Sequence, residues 1–189
     1  MSVSRPPSSS RLRWLRSTQL PPGAPDARLR DWLFDPASLT RRVREACTGR
    51  FRVRVERQDW GRPRLDEYRA LALRMPRRAL IREVHLLCDE RPWIFARTII
   101  PASTLRGPQR RLLRLGARPL GAVLFADPRM RRGPVEVAEI PLGHPLYAAA
   151  VHGLSSRPAA VWGRRSVFWV NDKPLLVAEI FLMPKTIRG

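Results

Sequence analysis

Four charged residues stand where β-strands ought to be apolar. Arg82 lies in the run 79–88, Arg97 in 93–100, Arg164 in 161–170 and Glu179 in 174–183. Strand alternation puts Arg82 with Leu80, Val84 and Leu86, and Glu179 with Leu175, Val177 and Phe181. It puts Arg97 with Trp93, Phe95 and Ile99, and Arg164 with Trp162, Phe168 and Val170. A lone buried charge is costly, so each needs a partner. Any one of them is explained by an internal ion pair, Arg82 or Arg164 with Glu179. Four in two hairpins favour a different outcome, an apolar pocket with convergent charges of the kind that holds a small aromatic acid. Arginine suits such a ligand because its planar fork donates two parallel hydrogen bonds to a carboxylate.

The elements that must position these residues follow from the pattern. Residues 1 to 25 are rich in Ser, Pro and Arg and lack periodicity, which reads as a flexible basic arm. From Asp26 a helical period places Leu29, Trp32 and Leu33 on one side until Asp35-Pro36 breaks it. Ser38 can cap a second helix through Val43 and Ala46, with Gly49 ending it. Phe51, Val53 and Val55 alternate with charges as a half-exposed strand, and 61–78 read as a loop. Two hairpins dominate the rest: strands 79–88 and 93–100 turn at Asp89-Glu90-Arg91-Pro92, and strands 161–170 and 174–183 turn at Asn171-Asp172-Lys173-Pro174. Their strands are apolar on both faces, so the sheet is expected to be covered on both sides or wrapped round a cavity. Short helical stretches occupy Pro108–Leu115 and Pro119–Phe125, Val135 and Val137 alternate like a strand, and 141–160 read as irregular. The expectation is a single α+β domain over 26–189, an antiparallel sheet with flanking helices enclosing a buried ligand site.

Composition bounds the function. The chain has 189 residues and a formal charge of +20, which invites a nucleic-acid reading. The cations are almost all arginine, however, with only Lys173 and Lys185 as lysines, and they are scattered rather than grouped. That argues against a specific nucleic-acid groove and leaves the charge to attract an anionic substrate. No apolar run is long enough to span a bilayer, and no continuous apolar segment follows the basic N-terminus as a secretory signal would require. Cys47 and Cys88 are too few for a disulfide framework, lack metal-ligand spacing, and read as buried reduced thiols of a cytoplasmic protein. His85, His144 and His152 form no metal or triad pattern, and His85 reads as structural.

Several motifs together resemble one family. Ile81-Arg82-Glu83-Val84, Arg91-Pro92-Trp93 and Ala96-Arg97-Thr98-Ile99-Ile100-Pro101 resemble the central hairpin of chorismate pyruvate-lyases. Pro119-Leu120-Gly121 with Leu124-Phe125 resembles the family's short helix, Trp162-Gly163-Arg164-Arg165-Ser166 its Trp-Gly-Arg-Arg-Ser motif, and Lys173-Pro174-Leu175-Leu176 through Glu179-Ile180-Phe181-Leu182 its final hairpin. The order and spacing of these motifs carry the likeness, which spans roughly 26 to 184.

The resemblance implies a cofactor-free, metal-free lyase that converts chorismate to 4-hydroxybenzoate and pyruvate, the first step of ubiquinone synthesis, acting as a cytoplasmic monomer. It implies that Arg82 grips the ring carboxylate with help from the backbone amides of Leu39 and Leu120. Glu179 would face the other end of the ring as the catalytic group, and Arg97 and Arg164 would also contact substrate. Family members commonly carry Met where this chain has Leu39, which matters little if the main chain makes the contact. The 134–160 segment and the N-terminal arm are longer than the family pattern. Two other readings compete. One is a non-catalytic domain that binds a small aromatic acid, like the effector domains of some bacterial regulators, which share this general fold. The other is a basic nucleic-acid-binding protein, which would need aromatic residues exposed among its arginines.

Overall fold

A computed structural model describes residues 12–74 and 77–183. Among these residues seven strands form one antiparallel sheet: β1 (Phe51–Gly61), β2 (Ala79–Cys88), β3 (Arg91–Pro101), β4 (Arg131–Arg132), β5 (Glu136–Pro141), β6 (Ala160–Val170) and β7 (Lys173–Phe181). Their order is β1-β2-β3-β7-β6-β4, with β5 also pairing β6. The α+β architecture expected from the sequence is therefore the one observed. The two long hairpins, β2–β3 and β6–β7, meet through the β3–β7 ladder at the centre. The second turns on two residues, Asn171 and Asp172, both at positive φ (50° and 59°), the backbone of a type I′ hairpin turn.

Helices cover both faces. On one side lie α1 (Ala27–Phe34) and α2 (Leu39–Ala46), then a 3-10 helix (Gly107–Arg114) and α4 (Leu120–Phe125). Asp26 caps α1 by accepting from the Leu29 amide at 2.9 Å. Trp32, Leu33, Leu39 and Val43 pack from α1 and α2 onto Val84, Leu86, Ile94 and Phe181. Leu112, Leu115 and Leu124 pack onto Leu80, Phe168, Leu175 and Val177. On the other side lie α3 (Leu65–Ala70) and α5 (Pro145–Ala150), two helices in segments that the sequence left as loop. Leu146, Tyr147 and Ala150 of α5 meet Phe95, Ala178 and Ile180 there. Among the described residues no helix is long and apolar enough to cross a membrane.

Two expectations are corrected here. Cys47 and Cys88 are not free thiols but form a disulfide, 41 residues apart in sequence, because the end of α2 lies against the end of β2. The segment expected to be a structureless arm to residue 25 is built into the fold from Leu12 onward: Leu15 exchanges two 2.8 Å backbone hydrogen bonds with Val137, and Trp14 Nε1 donates to Asp66 Oδ2 at 3.1 Å. Residues 1–11, the first part of that stretch, lie outside the described residues.

Candidate active site

The charged strand residues separate cleanly by face. Arg82 of β2, Arg164 of β6 and Glu179 of β7 point to the side covered by α1, α2 and α4. There they line one cavity of about 50 Å³ with Val84, Ala96, Thr98, Phe168 and Val177 from the sheet. Ser38, Leu39 and Thr40 at the start of α2, and Pro119, Leu120 and Gly121 at the start of α4, close it from above. The first amides of a helix have no intrahelical partner and carry the positive end of the helix dipole, so both helix starts favour an anion. The two starts touch: a Cβ built on Gly121 would sit 3.2 Å from both Ser38 Oγ and Thr40 Oγ1. Leu39 is buried and Leu120 mostly so, and neither offers a polar side chain to the cavity.

Arg82 is 2 % exposed, and its partners are all neutral. Its Nη1 donates to Gln58 Oε1 at 2.8 Å, and its Nη2 donates to the Gly116 carbonyl at 2.8 Å and the Arg118 carbonyl at 3.4 Å. These contacts tie the guanidinium to the turn that leads into α4. Burial holds its pKa below the ordinary arginine range, and no carboxylate among the described residues offsets the cost. A buried guanidinium held by neutral acceptors alone is poised for an anion supplied from outside the protein.

Arg164 and Glu179 face each other across the β6–β7 ladder, and Arg164 Nε donates to Glu179 Oε2 at 2.7 Å. Arg164 Nη1 also donates to the carbonyls of Trp32 (3.2 Å), Leu33 (3.3 Å) and Asp35 (2.9 Å), so it closes the C-terminal end of α1. Arg164 thus fixes both the helix over the cavity and the orientation of Glu179. The carboxylate is left with Oε1 unbonded by protein among the described residues, free to face a ligand.

Arg97 does not belong to this cavity. It projects from the opposite face, donating through Nε and Nη2 to Glu67 of α3 (2.7 and 3.1 Å) and through Nη1 to Glu83 (2.5 Å). Both acids are its ion-pair partners, and they leave it no role with a ligand on the other side of the sheet. His85 is structural as expected: it is 1 % exposed, with Nδ1 at 2.8 Å from Glu56 Oε1 and Nε2 at 3.0 Å from the Ala150 carbonyl. Among the described residues no group of three His, Cys, Asp or Glu side chains is placed to hold a metal ion.

Sequence reasoning missed one charged cavity residue, Arg132 on the two-residue strand β4. It sits in an irregular stretch whose side-chain directions no period reveals. Its Nε donates to Ser166 Oγ at 3.2 Å and its Nη1 to the Pro36 carbonyl at 3.0 Å.

The structure is similar to the ligand-binding domain of a putative GntR-family transcriptional regulator from Bordetella bronchiseptica, with a TM-score of 0.52, 17% identity, and coverage of 75% of this chain and 90% of that one. It is similar also to the C-terminal domain of the histidine utilization repressor from Pseudomonas syringae pv. tomato, with a TM-score of 0.53, 12% identity, and coverage of 74% and 95%. At such identities these likenesses establish the fold alone. The sequence relatives are nearer. A probable chorismate pyruvate-lyase of Azoarcus sp. is 49% identical over 86% of this chain and 87% of its own length. Another, from Methylococcus capsulatus, is 47% identical over 82% of this chain and 94% of its own. The family model described as chorismate lyase matches residues 8–188, and the chain belongs to the chorismate lyase family.

Proposed function

We propose that this chain removes pyruvate from chorismate and leaves 4-hydroxybenzoate. Family membership and the 49% and 47% identical relatives carry the reaction. The structural observation that supports it is Arg82, a buried cation of the cavity wall whose protein partners among the described residues are all neutral. The ring carboxylate supplies the missing charge there, and the amides of Leu39 and Leu120 add donors from the two helix starts.

With the ring carboxylate at Arg82, the para position of the ring reaches the Glu179 end of the cavity. The enolpyruvyl ether departs from the neighbouring ring carbon. Its C–O bond breaks with the electron pair leaving on the side-chain oxygen. The adjacent carbon loses its proton, and that C–H pair completes the aromatic ring. The departing enolate takes up a proton at its methylene carbon and becomes pyruvate. The ring hydroxyl remains as the phenol. No electron is gained from or lost to an outside agent, and aromatisation drives the step. Glu179, oriented by Arg164, accepts a hydrogen bond from that hydroxyl or takes the adjacent proton. Arg82 and Arg164 hold substrate and acid in register, which lowers the barrier by removing the search for geometry.

We place the reaction in the cytoplasm at the head of ubiquinone synthesis, in a monomer. The reading of the chain as a binding domain without catalysis rests on fold likeness alone. Purified protein mixed with chorismate separates the two readings. Pyruvate and 4-hydroxybenzoate in equal amounts, above the uncatalysed background, establish the lyase. Thermal stabilisation by 4-hydroxybenzoate without turnover leaves a binding domain.

A further inference from the structure

Chorismate carries two carboxylates, and Arg82 accounts for one. The cavity wall contains three arginines, Arg82, Arg132 and Arg164, and one acid, Glu179. Arg164 is matched by Glu179 at 2.7 Å, so two cations remain without a carboxylate partner among the described residues. Two unmatched cations in one cavity fit a dianion better than a monoanion.

The second cation is Arg132. It is half-buried beside Arg164 and Glu179. Its hydrogen-bond acceptors are Ser166 Oγ and the carbonyls of Asp35 (3.4 Å) and Pro36 (3.0 Å), all neutral, and it lies over the Phe168 ring. These contacts engage Nε and Nη1 and hold the guanidinium plane fixed, while Nη2 has no protein acceptor among the described residues. Burial and the neighbouring Arg164 both disfavour its charge, against the pull of Glu179 and Asp35. Like Arg82, Arg132 makes its hydrogen bonds to neutral acceptors only, though unlike Arg82 it feels two nearby carboxylates.

We propose that Arg132 binds the carboxylate of the enolpyruvyl side chain and thereby selects the dianionic substrate over its monoanionic product. This rests on the reading of the chain as a chorismate lyase. Two consequences follow from the chemistry. The developing negative charge on the departing enolpyruvyl fragment is stabilised by a cation already in contact with it. Once the carbon–oxygen bond breaks, pyruvate alone keeps the Arg132 contact, and 4-hydroxybenzoate is held only from the Arg82 end.

The test compares Arg132→Ala, Arg132→Lys and Arg82→Ala with wild type. It uses steady-state turnover of chorismate together with equilibrium binding of 4-hydroxybenzoate and of 3-(carboxymethoxy)-4-hydroxybenzoate, a stable dianion with its second carboxylate on a 3-oxy arm. The expected result for Arg132→Ala is a loss of roughly 10²-fold in kcat/KM and at least tenfold in affinity for the dianion, of the order of one charged hydrogen-bonded pair. Its 4-hydroxybenzoate affinity stays within about twofold of wild type, and Arg132→Lys recovers part of the loss, because the carboxylate keeps a cation but not its fork. Arg82→Ala loses affinity for both ligands. Equal losses for both ligands in Arg132→Ala would mean that the residue only shapes the cavity, and unchanged kcat/KM would remove it from the site; either overturns the proposal. A wild-type protein that binds 4-hydroxybenzoate but leaves chorismate intact would overturn the functional reading itself and the proposal with it.

Discussion

Arg82 and Arg97 lie on adjacent strands of one hairpin but on opposite faces of the sheet, and the difference is a single extra residue. Near the turn the hairpin pairs Cys88 with Arg91 and Leu87 with Pro92. Continued regularly, that register would set Arg82 across from Arg97. A bulge at Trp93 moves Leu86 on to Ile94, so Arg82 pairs with Thr98 and Glu83 with Arg97. One arginine therefore enters the cavity without an acid, and the other meets Glu67 and Glu83 on the far side.

The two arginines should respond oppositely to the same substitution. Arg97→Met strands two carboxylates in the interior and should cost about 3–5 kcal/mol, since one partner of a buried ion pair is removed. In a chain of this size that is a drop of roughly 10 °C in Tm, with 4-hydroxybenzoate affinity of the folded fraction unchanged. Arg82→Met removes a buried charge that no protein acid offsets, so Tm should hold or rise while product binding falls by roughly 10²-fold. Differential scanning calorimetry with and without 4-hydroxybenzoate reads both. A large Tm loss in Arg82→Met would show that its neutral partners already satisfy it.

That contrast also shows what the sequence could and could not convey. The hairpins, the first two helices and the covered sheet were legible because alternation and caps are local. Alternation also assigned Arg82, Arg164 and Glu179 to the faces where they lie relative to their own strand neighbours. It said nothing of how one strand's face aligns with the next, which depends on register, and a one-residue slip reverses every side chain. Arg97 was misassigned for that reason. Arg132 gave no signal because β4 is two residues long. The Cys47–Cys88 pairing depends on where the end of α2 lands on the sheet, which no local pattern states.

Glu179 should be separable from binding. Glu179→Gln keeps the size of the side chain and an oxygen for Arg164, so the fold and 4-hydroxybenzoate affinity should change little. Loss of a general acid or base usually costs at least about 10²-fold in kcat. Rapid-mix measurement of pyruvate release tests it, and a wild-type rate would remove Glu179 from the chemistry.

The ion cluster on the far face should set the acid limit of stability. Burial pushes the Glu67 carboxyl up, but the hydrogen bonds and charge of Arg97, together with Arg64, outweigh it and hold the pKa below the ordinary carboxylate value. A depressed folded-state pKa means that the unfolded chain takes up the proton first as pH falls. The stabilisation is therefore full above the unfolded pKa and is lost progressively as pH drops through the folded one. Urea midpoints for wild type should fall below about pH 4.5, and Glu67→Gln should be less stable at neutral pH with a flatter acid dependence. Parallel curves for the two proteins would place the acid sensitivity elsewhere.

The disulfide should be a stabiliser that function tolerates losing. Cross-linking residues 41 apart removes chain entropy from the unfolded state, about 4 kcal/mol in the loop-closure estimate. Titration of the denatured, unreduced protein with a thiol reagent should find no free cysteine. Reduction should lower Tm by roughly 10 °C and leave kcat nearly unchanged, because the cavity-lining residues of α2 lie at its other end. Two reactive thiols before reduction would refute the pairing.

Release of product should limit turnover. The cavity measures about 50 Å³, small beside the roughly 300 Å³ or more of typical ligand sites, so a bound ring needs the covering elements to move apart. It is closed where the starts of α2 and α4 meet at Gly121, Ser38 and Thr40. A ring held under that contact leaves only when the two helix starts part, and in many enzymes such opening rather than chemistry is the slow step. The kcat should then fall as solvent viscosity rises. Gly121→Ala presses a methyl group against the Ser38 and Thr40 hydroxyls and weakens closure, so 4-hydroxybenzoate should inhibit less while kcat holds or rises. If viscosity leaves kcat unchanged and Gly121→Ala inhibits like wild type, bond breaking is the slow step and the α2–α4 contact is only a wall.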